Sequence, residues 1–157
     1  MVRSHFGSTQ FGSRHGATRR RMRDEDIILS WRDGQLRRSD ARLWDEGQWL
    51  NDACISFYFA LLRRSTQCEA KGVLLLDPGV VFMIQFEDDA EDLAEAVEDM
   101  DLPNRDLLIL PVNDSTDPSV PAGGSHWALL TFKRDAGFEY FDSMGSACLP
   151  AARAIAR

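Results

Sequence analysis

The sequence predicts one α+β domain with an antiparallel sheet, and three observations predict it. Helical patterning dominates the earlier part of the chain, and strand-like apolar runs follow between residues 107 and 141. The two do not alternate in the regular βαβ rhythm of a parallel sheet. With 157 residues, 44% of them hydrophobic, the chain is long enough for one core and too short for two domains.

Residues 1–23 carry six arginines and no acidic residue, with few aliphatic side chains. Such a segment cannot bury enough apolar surface to offset the entropy of ordering, so a disordered basic tail is expected there and the domain over 24–157. The run Arg19-Arg20-Arg21-Met22-Arg23 reads as a nuclear address, an organelle transit signal or plainly a solvated tail. Outside the tail 12 basic residues face 25 acidic ones, a balance of −13. That argues against nucleic acid and favours a basic protein or peptide partner. No run approaches the roughly 20 apolar residues of a membrane span, and the N-terminus lacks a secretory-type apolar stretch. The expectation is a soluble monomer of the cytoplasm, the nucleus or both, with no membrane contact. Cys54, Cys68 and Cys148 are odd in number and widely spaced. They suggest neither a disulfide framework nor paired zinc ligands, and no cofactor is expected.

The elements follow in order. Ile27, Ile28, Leu29 and Trp31 before the turn Arg32-Asp33-Gly34 suggest an opening strand or arm. Asn51 or Asp52 caps a largely buried helix carrying Ile55, Phe57, Tyr58, Phe59, Leu61 and Leu62 and ending near Arg63-Arg64. Val73 to Leu76 is a short apolar run closed by Asp77-Pro78, and residues 80–86 fit strand or helix equally. From Glu87 to Asp101 nine positions are acidic, while Ala90, Leu93, Val97 and Met100 recur at helical spacing. This is a solvated helix face rather than a metal site, since it lacks the acid alternation and glycine of a calcium loop. Leu107 to Val112, Trp127 to Phe132 and Phe138 to Phe141 read as strands, the last two forming an antiparallel hairpin over Arg134-Asp135-Ala136-Gly137. Leu149 onward begins a helix.

One juxtaposition carries chemistry. His126 opens a predicted strand after Gly123-Gly124-Ser125, and Asp142 closes the neighbouring one 16 positions later. A hairpin brings the two together, with the carboxylate toward the ring's Nδ1–H and the histidine open enough to exchange protons. Such a pair is the base and orienting partner of a catalytic triad; the alternative is a strand-edge histidine beside a turn-forming aspartate. Cys54, near a helix N-terminus where the dipole lowers a thiol pKa, is a candidate nucleophile in papain-like order, or a core cysteine.

Five segments, in order, resemble the sentrin/SUMO-specific protease family, closest to its deneddylase branch. They are Trp49-Leu50-Asn51-Asp52, Asp101-Leu102-Pro103-Asn104, Val112-Asn113-Asp114, Ala122-Gly123-Gly124-Ser125-His126-Trp127 and Tyr140-Phe141-Asp142-Ser143. The resemblance implies a papain-like α+β fold and a cysteine peptidase that cuts after the Gly-Gly end of a Nedd-like or SUMO-like modifier. It implies that His126 and Asp142 are the catalytic pair and that Trp127 and Trp49 enclose the Gly-Gly tail. For Trp49 the alternative is packing before the helix cap. Asp52 would meet a basic residue of the partner's tail or cap the helix; Asn113 would polarise the scissile carbonyl or form a turn. The family's chain order is His, Asp, Cys, with the nucleophile and an oxyanion-hole Gln some tens of residues past the Asp. The sequence runs 15 residues past Asp142, so the expectation is an incomplete domain with no nucleophile and no activity of its own. Cys148 is too near Asp142, and Cys54 falls on a helix-core position. Two further readings are a non-catalytic binder of a ubiquitin-like protein and a SUMO-specific rather than Nedd-specific enzyme.

Overall fold

The computed structural model describes residues 21–32, 34–120 and 123–157. The expected tail through residue 20 therefore lies outside the described residues. Its last residues are already tied to the domain, since Arg38 donates to the Met22 carbonyl and the Arg23 N–H to Asp26.

β1 (Ile27–Trp31) and β2 (Gly34–Arg37) form an antiparallel hairpin apart from the main sheet. Only β2 is covered: Leu36 packs with Phe57, and a Cβ on Gly34 would stand 3.1 Å from the Phe57 ring, so the strand lies directly on a helix. That helix follows α1 (Arg38–Ala41). It is α2 (Asp52–Ser65), and its cap is Asn51 rather than Asp52, because the Asn51 side chain accepts the Cys54 N–H at 3.0 Å. Asn51 is itself held by Asp40, at 2.9 Å. Arg63 and Arg64 in the last turn oppose the negative end of the helix. α2 buries Cys54, Phe57, Phe59 and Ala60 but leaves Tyr58 and Leu61 exposed, so it is less buried than expected. Apolar residues ring the helix, whereas its partners cover one side.

β3 (Val73–Leu75) leads to α3 (Pro78–Phe86), which resolves the ambiguous stretch as helix. Asp77 accepts the Gly79 N–H as cap and Pro78 starts the first turn, where a missing N–H costs nothing. α4 (Ala90–Val97) is capped by Asp89 and is shorter than the 87–101 periodicity; a single 3₁₀ turn replaces its end before Asp101, at φ +52°. Its acids face solvent, while Leu93, Val97 and Met100 are half-buried and Met100 packs on the core.

β4 (Leu107–Asn113), β5 (Trp127–Lys133) and β6 (Gly137–Phe141) complete a sheet of order β3-β4-β5-β6. The expected antiparallel sheet is corrected to a mixed one. β4, β5 and β6 are antiparallel, but β3 runs parallel to β4 because α3 and α4 form a crossover between them. Side chains alternate across β4. Leu108, Leu110 and Val112 meet Val81, Ala128, Leu130, Cys148 and the small residues Ala151 and Ala152 of α5 (Leu149–Ile155). On the other face Ile109 packs near Phe59 and Leu75. The sheet is thus sandwiched between α2 on one face and α3 with α5 on the other. Among the described residues no helix is long and apolar enough to cross a membrane.

Candidate active site

The hairpin register brings His126 and Asp142 together. Leu129 pairs with Phe141, so Asp142 stands one step further, opposite Ala128, on the face that His126 shares with Ala128. The two are diagonal neighbours, and His126 Nε2 meets Asp142 Oδ1 at 2.6 Å. The ring atom differs from the expected Nδ1. With Nε2 engaged, Nδ1 is the position left to exchange a proton. His126 is also less open than expected, at 5% exposure, yet it lines a cleft of about 810 Å³.

Asp142 is surrounded by donors. Tyr140 Oη lies 2.5 Å from Oδ2, the Met144 N–H 2.7 Å from Oδ1 and the Cys148 N–H 3.3 Å from Oδ2. The Tyr140 hydroxyl foremost, then the Met144 and His126 donors, hold the carboxyl well below the usual carboxylate range in spite of its burial. It therefore stays an anion at neutral pH. Reciprocally, burial first and the Asp142 anion next push the Tyr140 phenol up to about 12. Tyr140 lies in one of the matching segments, and its place beside Asp142 is beyond what the resemblance implies. The available signal was spacing, since residues two apart on a strand share a face.

No thiol lines this cleft among the described residues. Cys148 is fully buried behind Asp142, with Sγ 3.7 Å from the His126 carbonyl. Burial first, then the Asp114 and Asp142 charges, push its thiol up to about 11, the reverse of an activated nucleophile. Cys54 lies under α2 against the Asp40 carbonyl at 3.4 Å, its pKa likewise raised, mainly by burial. It borders a separate apolar cavity with Tyr58 and Leu129. The structure does not bring it together with His126. The ligand atoms of His126, Asp142 and Cys148 lie within 4.8 Å of one another, a spacing that invites comparison with a metal site. However, Asp142 already accepts four hydrogen bonds, and a cation would have to displace the one from His126.

The remaining candidates surround the cleft. Trp49, 66% exposed, and Trp127 both line it, and Trp127 Nε1 donates to the Leu50 carbonyl at 3.0 Å, fixing the approach to α2 against β5. Asp52 lines it as well, exposed, accepting the Ala53 N–H. Asn113 lines the cleft too. Its Oδ1 accepts the Ser115 N–H at 2.8 Å and its Nδ2 reaches the His126 carbonyl at 3.3 Å, so its amide is engaged by the loop at the edge of the cleft. Gly124 (φ +83°) must lack a side chain, because a Cβ would fall 1.9 Å from Asn113 Oδ1.

A buried histidine held by a carboxylate thus stands at the mouth of the sheet of a papain-like α+β fold, in a cleft that two tryptophans line. No family model matches the chain. Among curated proteins it is similar to NEDD8-specific protease 1 of Arabidopsis thaliana, 40% identical over 121 residues, which cover 76% of this chain and 53% of the relative. It is also similar to sentrin-specific protease 8 of Homo sapiens, 34% identical over the same length, covering 76% and 56%. The chain spans about half the length of the curated relatives it matches. Among solved structures, its fold is similar to the C-terminal Ulp1 protease domain in complex with SMT3, the yeast ortholog of SUMO. That match has a TM-score of 0.56 and 15% identity, over 85% of this chain and 59% of the other. A structure of the SUMO protease Ulp1 with its catalytic cysteine oxidised to a sulfenic acid matches at 0.52 and 18%, over 74% and 49%. The chain is thus similar to members of the sentrin/SUMO-specific protease family, on its deneddylase-like side.

Proposed function

We propose that the protein acts in a cysteine peptidase that releases or matures a ubiquitin-like modifier, Nedd-like in preference to SUMO-like, by cutting after its C-terminal Gly-Gly. The observation that carries this is the 2.6 Å contact of His126 with Asp142 at the end of a tryptophan-walled cleft. A tail of two glycines offers no side chain to grip, and flat aromatic walls select it by width. The Nedd-like preference rests on the relatives named for NEDD8 and on the Asp101 to Asn104 segment.

In this reading the attacking thiol enters the cleft from outside the described residues. His126 Nδ1 takes its proton, and the thiolate adds to the last glycine's carbonyl. The imidazolium, steadied through Nε2 by Asp142, then protonates the leaving amine. Water, activated by the same base, hydrolyses the resulting thioester and frees the modifier's carboxylate.

One observation favours a second reading. The walls and base are present while every described cysteine is buried, so the chain alone is suited to hold a modifier's tail without cutting it. Modifier proteins bearing a C-terminal electrophile separate the two when incubated with this chain and with its longest transcript product, followed by mass mapping. The peptidase reading expects an adduct on a cysteine beyond Arg157 in the longer form. An adduct on Cys54 returns the papain-order alternative. Absence of any adduct, with saturable binding of the Nedd-like modifier, supports the binder. The same pair of probes with a SUMO-like modifier tests the preference.

A further inference from the structure

The segment that delivers His126 to the cleft has little to hold it by itself. It contains Gly123 and Gly124, the latter left-handed, so its backbone has few steric constraints. The β4–β5 ladder ends at the pair Asn113↔Trp127. One step further, the Asp114 N–H donates to the His126 carbonyl at 3.3 Å, as an antiparallel ladder would continue. The return bond is different. The His126 N–H goes to Asp114 Oδ1, at 3.0 Å, and the same oxygen accepts the Ser125 N–H at 2.6 Å. Oδ2 accepts the Ser125 hydroxyl at 3.0 Å. With Asn113 Nδ2 on the His126 carbonyl, both main-chain polar groups of His126 are held from the end of β4, the N–H by a carboxylate.

We propose that Asp114 is a positioning residue for His126: its carboxylate clamps the Ser125 and His126 N–H groups and so sets where the imidazole stands against Asp142. This rests on the reading of His126 as a peptidase base. Three features separate such a role from ordinary turn capping. The clamped residue is the base itself. Asp114 also lines the cleft, so its anion stands beside the reacting groups. And the Ser125 and His126 N–H bonds outweigh the effect of burial, leaving the Asp114 carboxyl below its ordinary value and charged at neutral pH. A base displaced by about 1 Å can lose on the order of 100-fold in rate, so a clamp of this kind acts on turnover without touching substrate.

The test compares Asp114→Asn, which keeps Oδ1 as acceptor, with Asp114→Ala, which removes it, and Asp114→Glu, which keeps the charge but moves it outward by one methylene. The first readout needs no activity: ring nitrogen and Nε2-proton NMR signals of His126 in the full chain. The expected result is a single Nε2–H tautomer with a downfield proton in the wild type and in Asp114→Asn. Tautomer averaging with loss of that proton is expected in Asp114→Ala and in Asp114→Glu, at unchanged far-UV circular dichroism. Should Asp114→Ala not fold, Asp114→Glu decides alone. A wild-type signature in a folded Asp114→Ala or Asp114→Glu protein overturns the proposal, as does an Asp114→Asn signature as perturbed as that of Asp114→Ala. In any longer form that carries a nucleophile the expected kinetic result is kcat down at least about tenfold in Asp114→Ala with KM nearly unchanged, and Asp114→Asn within about threefold of wild type. A loss confined to KM also overturns it. Failure of that wild-type form to cleave any ubiquitin-like precursor counts against the peptidase reading, and the NMR result still decides the clamp.

Discussion

Tyr140 Oη lies 2.5 Å from Asp142 Oδ2, so the oxygen of Asp142 that does not face His126 is already occupied. The hydroxyl keeps the carboxylate from rotating and lowers its proton affinity. Orientation of the imidazole therefore depends on a phenol two residues away on the same strand face.

This pairing predicts a titration. The Tyr140 phenol is raised from 10.0 to about 12, so the folded state favours its neutral form. Its contribution to stability is complete below pH 10 and is lost as pH rises through about 12. Absorbance titration at the phenolate band is expected to show one tyrosine ionising near 12. That late step is expected to vanish in Tyr140→Phe; its persistence there would reassign it.

Asp142 behaves with the opposite sign. Its folded value lies below the ordinary 3.8, so the stability it supplies is present above that pH and is lost as pH falls through the folded value. Thermal melts from about pH 5 downward should show the midpoint falling more steeply for wild type than for Asp142→Asn. Parallel slopes would remove Asp142 from the account of acid lability.

Thiol chemistry offers a third check. Cys148 and Cys54 are fully buried with raised pKa, and Cys68 is buried too. In the native chain at neutral pH, alkylation of all three should be slow and should become fast on unfolding. Rapid native labelling of Cys148, located by mass mapping, would contradict its position behind Asp142.

Backbone strain gives a fourth. Gly124→Ala must adopt φ near +83° and place its Cβ against Asn113. The left-handed conformation alone should cost at least about 1 kcal/mol, with the Asn113 clash added. Calorimetry should record a lowered midpoint, and a midpoint equal to wild type would mean the loop can rebuild.

The tryptophans separate binding from packing. Trp49 is 66% exposed, so Trp49→Ala should change stability by no more than about 0.5 kcal/mol while weakening capture of a Gly-Gly tail. Equilibrium titration with a modifier, beside a thermal melt, distinguishes these; a large loss of stability with unchanged affinity would return Trp49 to the packing role.

Much of this arrangement was legible in the residues. The strands at Leu107, Trp127 and Phe138 announced themselves by apolar runs between turn formers, and the short turn Arg134 to Gly137 implied the hairpin that joins His126 to Asp142. What was not legible depended on packing or on atoms. Val73 to Leu75 is too short to show its direction, and only the α3–α4 crossover makes it parallel to β4. Residues 80–86 were undecidable by period, and were settled by the Asp77 cap and Pro78. Tyr58 and Leu61 looked buried because periodicity gives the width of an apolar face and not the size of what covers it. The choice of Nε2 over Nδ1, and the engagement of the Asn113 amide by the loop, are rotamer outcomes that no spacing encodes.

The Trp127 to Leu50 bond spans 77 positions, whereas the His126 to Asp142 contact spans 16. Loop closure scales with the logarithm of chain length, which makes the longer closure about 1.4 kcal/mol dearer in entropy. A folding chain thus acquires the His126–Asp142 pair from a local hairpin and the Trp127 wall of the cleft only once the helical layer docks. On the proposed reading, reactivity is encoded locally and selectivity globally, so a partly folded molecule would hold a base before it held a channel that can choose what the base acts on.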